Sequence, residues 1–222
     1  MILANNNTMK RILLVILAIL VIPIQLSAQK VGLVMSGGGA RGLAHIGVIK
    51  ALEENNIPID YVAGTSMGAI IASLYAMGYT PEEMEATIAS EKFKRWYSGK
   101  MSKDDIFYFR RNEERPDILN LRIDTRDSIR LVMPVLNLVD PTQMNMGFLE
   151  MYSAGNAACK SNFDSLMVPF RCVASDVYNK KQIIYSDGDL SDAVRASMTF
   201  PFVFKPIKKD SVLVYDGGIY NN

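Results

Sequence analysis

From residue 29 onward the chain alternates short, unbroken apolar runs with longer segments of helical periodicity. Residues 31–35 are a continuous apolar run closed by a glycine cluster, which predicts a strand buried on both faces. A helical pattern follows from residue 43 to about 55, with Leu43, Ile46, Ile49 and Leu52 near one face. Pro58 opens a second apolar run at 59–63, and residues 69–77 then predict a helix rich in small residues. Gly68, Ala72 and Ala76 fall at four-residue spacing there, a narrow face suited to close packing on a sheet. Gly78 suits a C-cap, and Thr80-Pro81-Glu82-Glu83 supplies an N-cap, an N1 proline and a capping-box glutamate, so a further helix begins at Pro81. This β-α-β-α order predicts a parallel, doubly wound sheet.

The middle of the chain is less patterned. Residues 118–123 and 128–133 read as a hairpin around Thr125-Arg126-Asp127, and Asp140-Pro141 begins a helix carrying Met144, Phe148 and Met151 at helical spacing. Strand signals return at 168–174, 182–185 and 211–215, with a short helix at 190–197. No internal repeat or low-complexity tract is visible.

Before residue 29 the pattern changes. Lys10-Arg11 precedes an uncharged apolar stretch at 12–24 that ends in Leu26-Ser27-Ala28, the layout of a secretory signal peptide cut after Ala28. The stretch is shorter than the ~20 residues a spanning helix needs. Either Met1 or Met9 can be the start, Met9-Lys10-Arg11 giving the more ordinary basic region. No cysteine stands near the cut, so a lipid-modified terminus is not supported. The expected organisation is a leader at 1–28, one domain over 30–222 and a location outside the cytoplasm.

Composition narrows the function. A net charge of +1 becomes −1 once the leader's two cations are removed, which argues against a nucleic-acid binder. Two cysteines and one histidine offer no metal array. Cys159 and Cys172 could pair in an oxidising compartment. Cys172 lies inside an apolar strand run, so two buried free thiols fit at least as well.

Three glycine motifs carry the candidate chemistry. Ser36-Gly37-Gly38-Gly39-Ala40-Arg41-Gly42 follows the first strand, Gly64-Thr65-Ser66-Met67-Gly68 the second, and Asp216-Gly217-Gly218 the last. The second has the form of a nucleophile elbow, a serine on a sharp strand-to-helix turn flanked by Gly64 and Gly68. If the strands are parallel, all three motifs converge beyond their carboxyl ends, where open α/β sheets place their sites. Acyl transfer needs a nucleophile, a base and N–H donors for the oxyanion. Ser66 can be the first. Gly37, Gly38 and Gly39 can present bare N–H groups as the third, with Arg41 bracing that loop or adding charge. The lone histidine, His45, sits at the start of the first helix and reads as a packing or helix-terminal residue. Asp216 is therefore the better base, provided burial raises its basicity.

These blocks in this order, with Ala196-Ser197 through Pro201 to Phe204 and Pro206 as a fourth, resemble the patatin-like phospholipase family over roughly residues 30–222. The resemblance implies a three-layer α/β/α sandwich with a mainly parallel sheet and serine hydrolysis of lipid esters. It further implies a Ser66–Asp216 dyad, the glycine loop as oxyanion hole, and no metal or organic cofactor. Domains of the family usually continue through another strand and helix, so the chain is expected to stop short of the domain's end. Full-length relatives with such a leader often add modules, including an outer-membrane barrel.

Blander readings stand beside these. Ser66 could mark a purely structural elbow and Asp216 a turn residue holding its own backbone. Lys92-Phe93-Lys94-Arg95-Trp96-Tyr97 mixes bases and aromatics as membrane-surface segments do, though Phe93, Trp96 and Tyr97 at helical spacing better suit a docked helix end. The glycine loop also matches the dinucleotide fingerprint, but the acidic residue that should end the second strand is absent; Asp60 stands at its beginning. A domain that binds lipid or a partner without turnover is the remaining alternative.

Overall fold

The structure is a computed structural model that describes residues 9–14, 29–101, 122–124, 130–132, 138–209 and 212–222. The element order of the first unit is as the pattern requires, but its first strand is not buried on both faces: it lies at a sheet edge with Val34 77% exposed, because only one neighbour pairs with it. Strand β1 (Gly32–Met35) leads through a 3-10 turn (Gly39–Leu43) into helix α1 (Ala44–Glu54), then β2 (Tyr61–Thr65) and α2 (Met67–Ala76). Helices α3 (Pro81–Ala89) and α4 (Glu91–Ser98) follow. After the short hairpin β3 (Arg122–Asp124) and β4 (Arg130–Val132) come α5 (Thr142–Cys159), β5 (Phe170–Asp176), β6 (Lys181–Tyr185), α6 (Leu190–Ser197), β7 (Ile207–Lys209) and β8 (Val212–Asp216). The hairpin pairs Ile123 with Leu131, and the turn expected between its strands lies outside the described residues.

The expected α/β class is the one observed, with one correction to the sheet. Its order is β1-β2-β5-β8-β7, with β6 on the other edge of β5. The pairs β1–β2 and β2–β5 are parallel, whereas β6 and β8 each run antiparallel to β5 and β7 runs antiparallel to β8. The sheet is thus mixed rather than mainly parallel. Strands β5 and β6 are joined by a tight turn, too short for the crossover a parallel pair needs.

Helix α2 explains the small-residue spacing. All ten of its residues are buried, so it is a core helix with no polar face. The boundary signals at α3 are realised: Glu83 N–H donates to Thr80 Oγ1 at 3.2 Å and Thr80 N–H to Glu83 Oε2 at 2.9 Å. Helix α4 docks by Phe93 and Trp96, both buried. Trp96 lies against α5 at Gly147, where an added Cβ would come within 2.1 Å of the indole. Phe148 meets Trp96 edge-on at 6.4 Å, and Tyr152 meets Phe148 at 5.5 Å. The Tyr152 hydroxyl and Ser73 Oγ, both fully buried, share a hydrogen bond of 2.8 Å that ties α5 to α2. Cys159 and Cys172 are both buried and both free, which decides the open question against a disulfide.

Candidate active site

The site lies where β2 and β8 meet end to end beside β5. Along one edge of β5, Thr65 of β2 pairs with Val173 and Asp216 of β8 pairs with Ala174. Strand β6 occupies the other edge. Because β5 outruns β2 by three residues, β8 can enter from the opposite direction and take up the vacant edge. The motifs therefore converge although β8 is not parallel, contrary to the expected reason.

Ser66 holds φ +54° and ψ −122°, a region that a residue with a Cβ rarely adopts. The strain falls on the serine itself, not on its glycines, whose φ values are not positive. Gly64 and Gly68 are required by close approach instead. A Cβ on Gly64 would lie 2.4 Å from the Gly68 carbonyl carbon, and one on Gly68 would lie 2.2 Å from Met35 O. The Ser66 N–H donates to Ser197 Oγ at 2.9 Å, and that hydroxyl donates to Val173 O at 2.6 Å. Helix α2 starts directly after Ser66, so its positive end lies at the serine.

Asp216 is only 5% exposed. Its N–H donates to Thr199 O at 2.9 Å, and its Oδ1 accepts the Gly218 N–H at 2.7 Å. Burial pushes the carboxyl above its ordinary range, while hydrogen bonding from the Ser66 hydroxyl and the Gly218 N–H works in the opposite direction. The net effect is a carboxyl held above its ordinary range.

Of the glycine loop, Gly37, Gly38 and Gly39 line the same cavity as Ser66 and Asp216. Gly38 (φ +149°) and Gly39 (φ +55°) take backbone conformations that favour glycine. Gly37 differs, because its N–H already donates to Asn222 Oδ1 at 2.6 Å. Arg41 is exposed and forms no part of the cavity wall; its N–H closes the turn onto Gly38 O at 3.2 Å. That bond is a backbone one, so both roles considered for the Arg41 side chain stay open. His45 Nε2 lies 3.0 Å from Ser36 O, as a helix-terminal residue would. Asp60 accepts the Val31 N–H at 2.7 Å, at the opposite end of the strands from the glycine loop, so it is not placed to hold a ribose there.

The cavity has a volume of about 690 Å³, and its walls are chiefly apolar, with Met67, Ile70, Met198, Phe200, Phe204 and Ile219 around the polar floor. Tyr97 joins from α4, edge-on to Phe204 at 6.0 Å. Among the described residues no group of three His, Cys, Asp or Glu is placed to hold a metal. Sequence reasoning did not assign roles to Ser197, Thr199 or Asn222. Ser197 was inside the fourth motif block, so a signal existed for it; Asn222 carried none. Behind this wall Arg195 is buried without a carboxylate among its described partners. It donates to Thr199 Oγ1 at 2.6 Å, Asn145 Oδ1 at 3.0 Å and Lys205 O at 3.4 Å, with its guanidinium 5.3 Å from the Phe204 ring. Burial lowers its pKa to about 10, which leaves it charged at neutral pH.

A serine on a strained elbow and a buried carboxyl thus line one apolar cavity of an α/β fold. The chain belongs to the patatin-like phospholipase family, whose model matches residues 33–222. It is 32% identical over 200 residues to patatin-like phospholipase domain-containing protein 6 of Mus musculus, covering 89% of this chain and 12% of that protein. It is 29% identical over 198 residues to lysophospholipase NTE1 of Mycosarcoma maydis, covering 89% and 9%. The chain thus spans only 9–12% of the length of these curated relatives. Among solved structures, VipD from Legionella pneumophila shares the fold, with a TM-score of 0.53 at 16% identity, over 87% of this chain and 46% of VipD.

Proposed function

We propose that the protein is a lipid acyl hydrolase working through a Ser66–Asp216 dyad. One observation carries this reading: Ser66, on its strained elbow, and the buried Asp216 carboxyl line the same apolar cavity. Ser66 Oγ attacks the ester carbonyl carbon as Asp216 takes its proton. The carbon–oxygen bond to the alcohol breaks, and Asp216 returns the proton to that oxygen. Water, deprotonated by Asp216, then attacks the acyl-serine carbonyl carbon; the bond to Ser66 Oγ breaks, Asp216 returns the proton to Oγ, and the fatty acid leaves. The apolar walls take the acyl chain, and glycine-loop N–H groups receive the oxyanion. Substrate is drawn from phospholipids, lysophospholipids or simpler acyl esters, through transient contact with a lipid surface. The role belongs to lipid metabolism, and the leader at 1–28 directs the chain out of the cytoplasm.

The test is covalent labelling with a fluorophosphonate, followed by turnover of a panel of phospholipids, lysophospholipids and short acyl esters. Labelling that disappears in Ser66→Ala is expected. Folded protein that neither labels nor hydrolyses any of these would overturn the reading in favour of a non-catalytic lipid- or partner-binding domain.

A further inference from the structure

The Gly37–Asn222 contact has a consequence for the glycine loop. Gly37, Gly38 and Gly39 all line the cavity, but the Gly37 N–H is already taken, at 2.6 Å, by the Asn222 carboxamide oxygen. The residue before Asn222 is anchored. The neighbouring Asn221 donates its N–H to Gly217 O at 2.9 Å and its Nδ2 to Gln182 Oε1 at 2.9 Å. The Asn221 carbonyl accepts the Thr65 hydroxyl at 3.2 Å. Asn222 is therefore a short arm rooted in the turn after Asp216 and in the strand end before Ser66, reaching across to the glycine loop.

Packing on the other side of this contact agrees. A Cβ on Gly37 would fall 2.9 Å from Asn222 Oδ1 and 3.0 Å from Ser66 Cβ. Gly37 is thus wedged between the arm and the candidate nucleophile, and its place relative to Ser66 is set by both. Gly38 and Gly39 have no such wedge: an added Cβ meets only the loop's own Arg41 and Gly42 at Gly38, and nothing within 4 Å at Gly39.

We propose that Asn222 is a positioning residue for the oxyanion loop. Its carboxamide oxygen withdraws the Gly37 N–H from catalysis, fixes the loop against Ser66 and Asp216, and leaves Gly38 and Gly39 as the N–H donors. This rests on the acyl-hydrolase reading for its kinetic consequence, but the structural tie stands without it. An oxyanion donor contributes only where it is held at hydrogen-bond distance from the developing charge, so a loosened loop reduces kcat more than binding.

The experiment compares the wild-type protein with Asn222→Ala by two readouts. Hydrogen exchange of the Gly37 amide needs no turnover: it should be protected in the wild type and exchange at least 10-fold faster in the variant. Fluorophosphonate labelling of Ser66 and ester turnover should slow about 10–100-fold in kcat with KM little changed. Equal Gly37 exchange in the two proteins overturns the tie. Labelling as fast or faster in Asn222→Ala overturns the positioning role and makes Asn222 a plug that substrate must displace. A wild-type protein that does not label defeats the acyl-hydrolase reading and with it the catalytic half of the proposal, while the exchange result still decides the tie. Thermal midpoints within a few degrees of each other exclude general unfolding as the cause.

Discussion

Thr65 and Asp216 are paired to consecutive residues of the same edge of β5, Thr65 to Val173 and Asp216 to Ala174. Two strands running in opposite directions thus end against one another, and the residue after Thr65 is the candidate nucleophile. This tip-to-tip meeting places Ser66 near Asp216 through backbone pairing, so the spacing of the proposed dyad depends on sheet register more than on side-chain reach. A one-residue slip of either strand would turn its side chains to the other face.

The buttress behind the elbow should be measurable. Ser197→Ala removes the acceptor of the Ser66 N–H and the donor to Val173 O, leaving two backbone groups without that partner. The expected result is a kcat lowered about 10–100-fold with KM little altered, alongside a stability loss of about 1–3 kcal/mol. Ser197→Thr, which keeps the hydroxyl, should recover most of the rate. Full activity in Ser197→Ala would mean that the elbow holds itself.

Asp216 links activity to pH. Its carboxyl is raised above 3.8 by burial, so kcat/KM should fall as the pH drops through that raised value and the base becomes protonated. Stability has the opposite sign. A raised folded-state value favours the protonated form, so this contribution is complete below about pH 3.8 and lost as the pH climbs through the raised value. Asp216→Asn should therefore be inactive yet more resistant to urea than the wild type at neutral pH, with the difference vanishing towards pH 3.8. Urea midpoints at the two ends of that range check the sign.

The elbow glycines should tolerate no side chain. Gly64→Ala and Gly68→Ala drive a Cβ into backbone at 2.4 and 2.2 Å, where no flexible side chain can yield. A loss of several kcal/mol, seen as a lower unfolding midpoint or as insoluble protein, is expected for either. An alanine variant with native stability would require a backbone shift at Met35 or Gly68 visible in its crystal structure.

The buried tie between α2 and α5 offers a control away from the site. Tyr152→Phe removes one partner of the Ser73 hydroxyl, which keeps its 2.8 Å bond to Ile70 O. Stability should drop by about 1 kcal/mol with labelling of Ser66 unchanged.

The two thiols give a simple chemical test. Both are buried and unpaired, and burial pushes Cys172 well above the usual thiol range. Native protein should react with a thiol reagent only slowly, unfolded protein with two equivalents, and a reductant should leave the thermal midpoint unchanged.

Much of this protein was determined by local sequence. Apolar runs and helical spacing marked β1, α1, β2 and α2 to within two or three residues, because buried elements must be apolar and glycine turns must punctuate them. Thr80-Pro81-Glu82-Glu83 set the start of α3 by its own hydrogen bonds. Ser66 and Asp216 were legible for a similar reason, since glycines crowd wherever backbone passes close to backbone. Strand direction was not legible: an apolar run reads the same both ways, and only pairing with β5 made β8 antiparallel. The same holds for Ser197 on Ser66 and Asn222 on Gly37, contacts across 131 and 185 residues of chain. No short-range pattern encodes such a contact. Only the sheet and the elements packed on it bring those residues to one place, and tertiary structure decides that the Gly37 N–H is taken by Asn222.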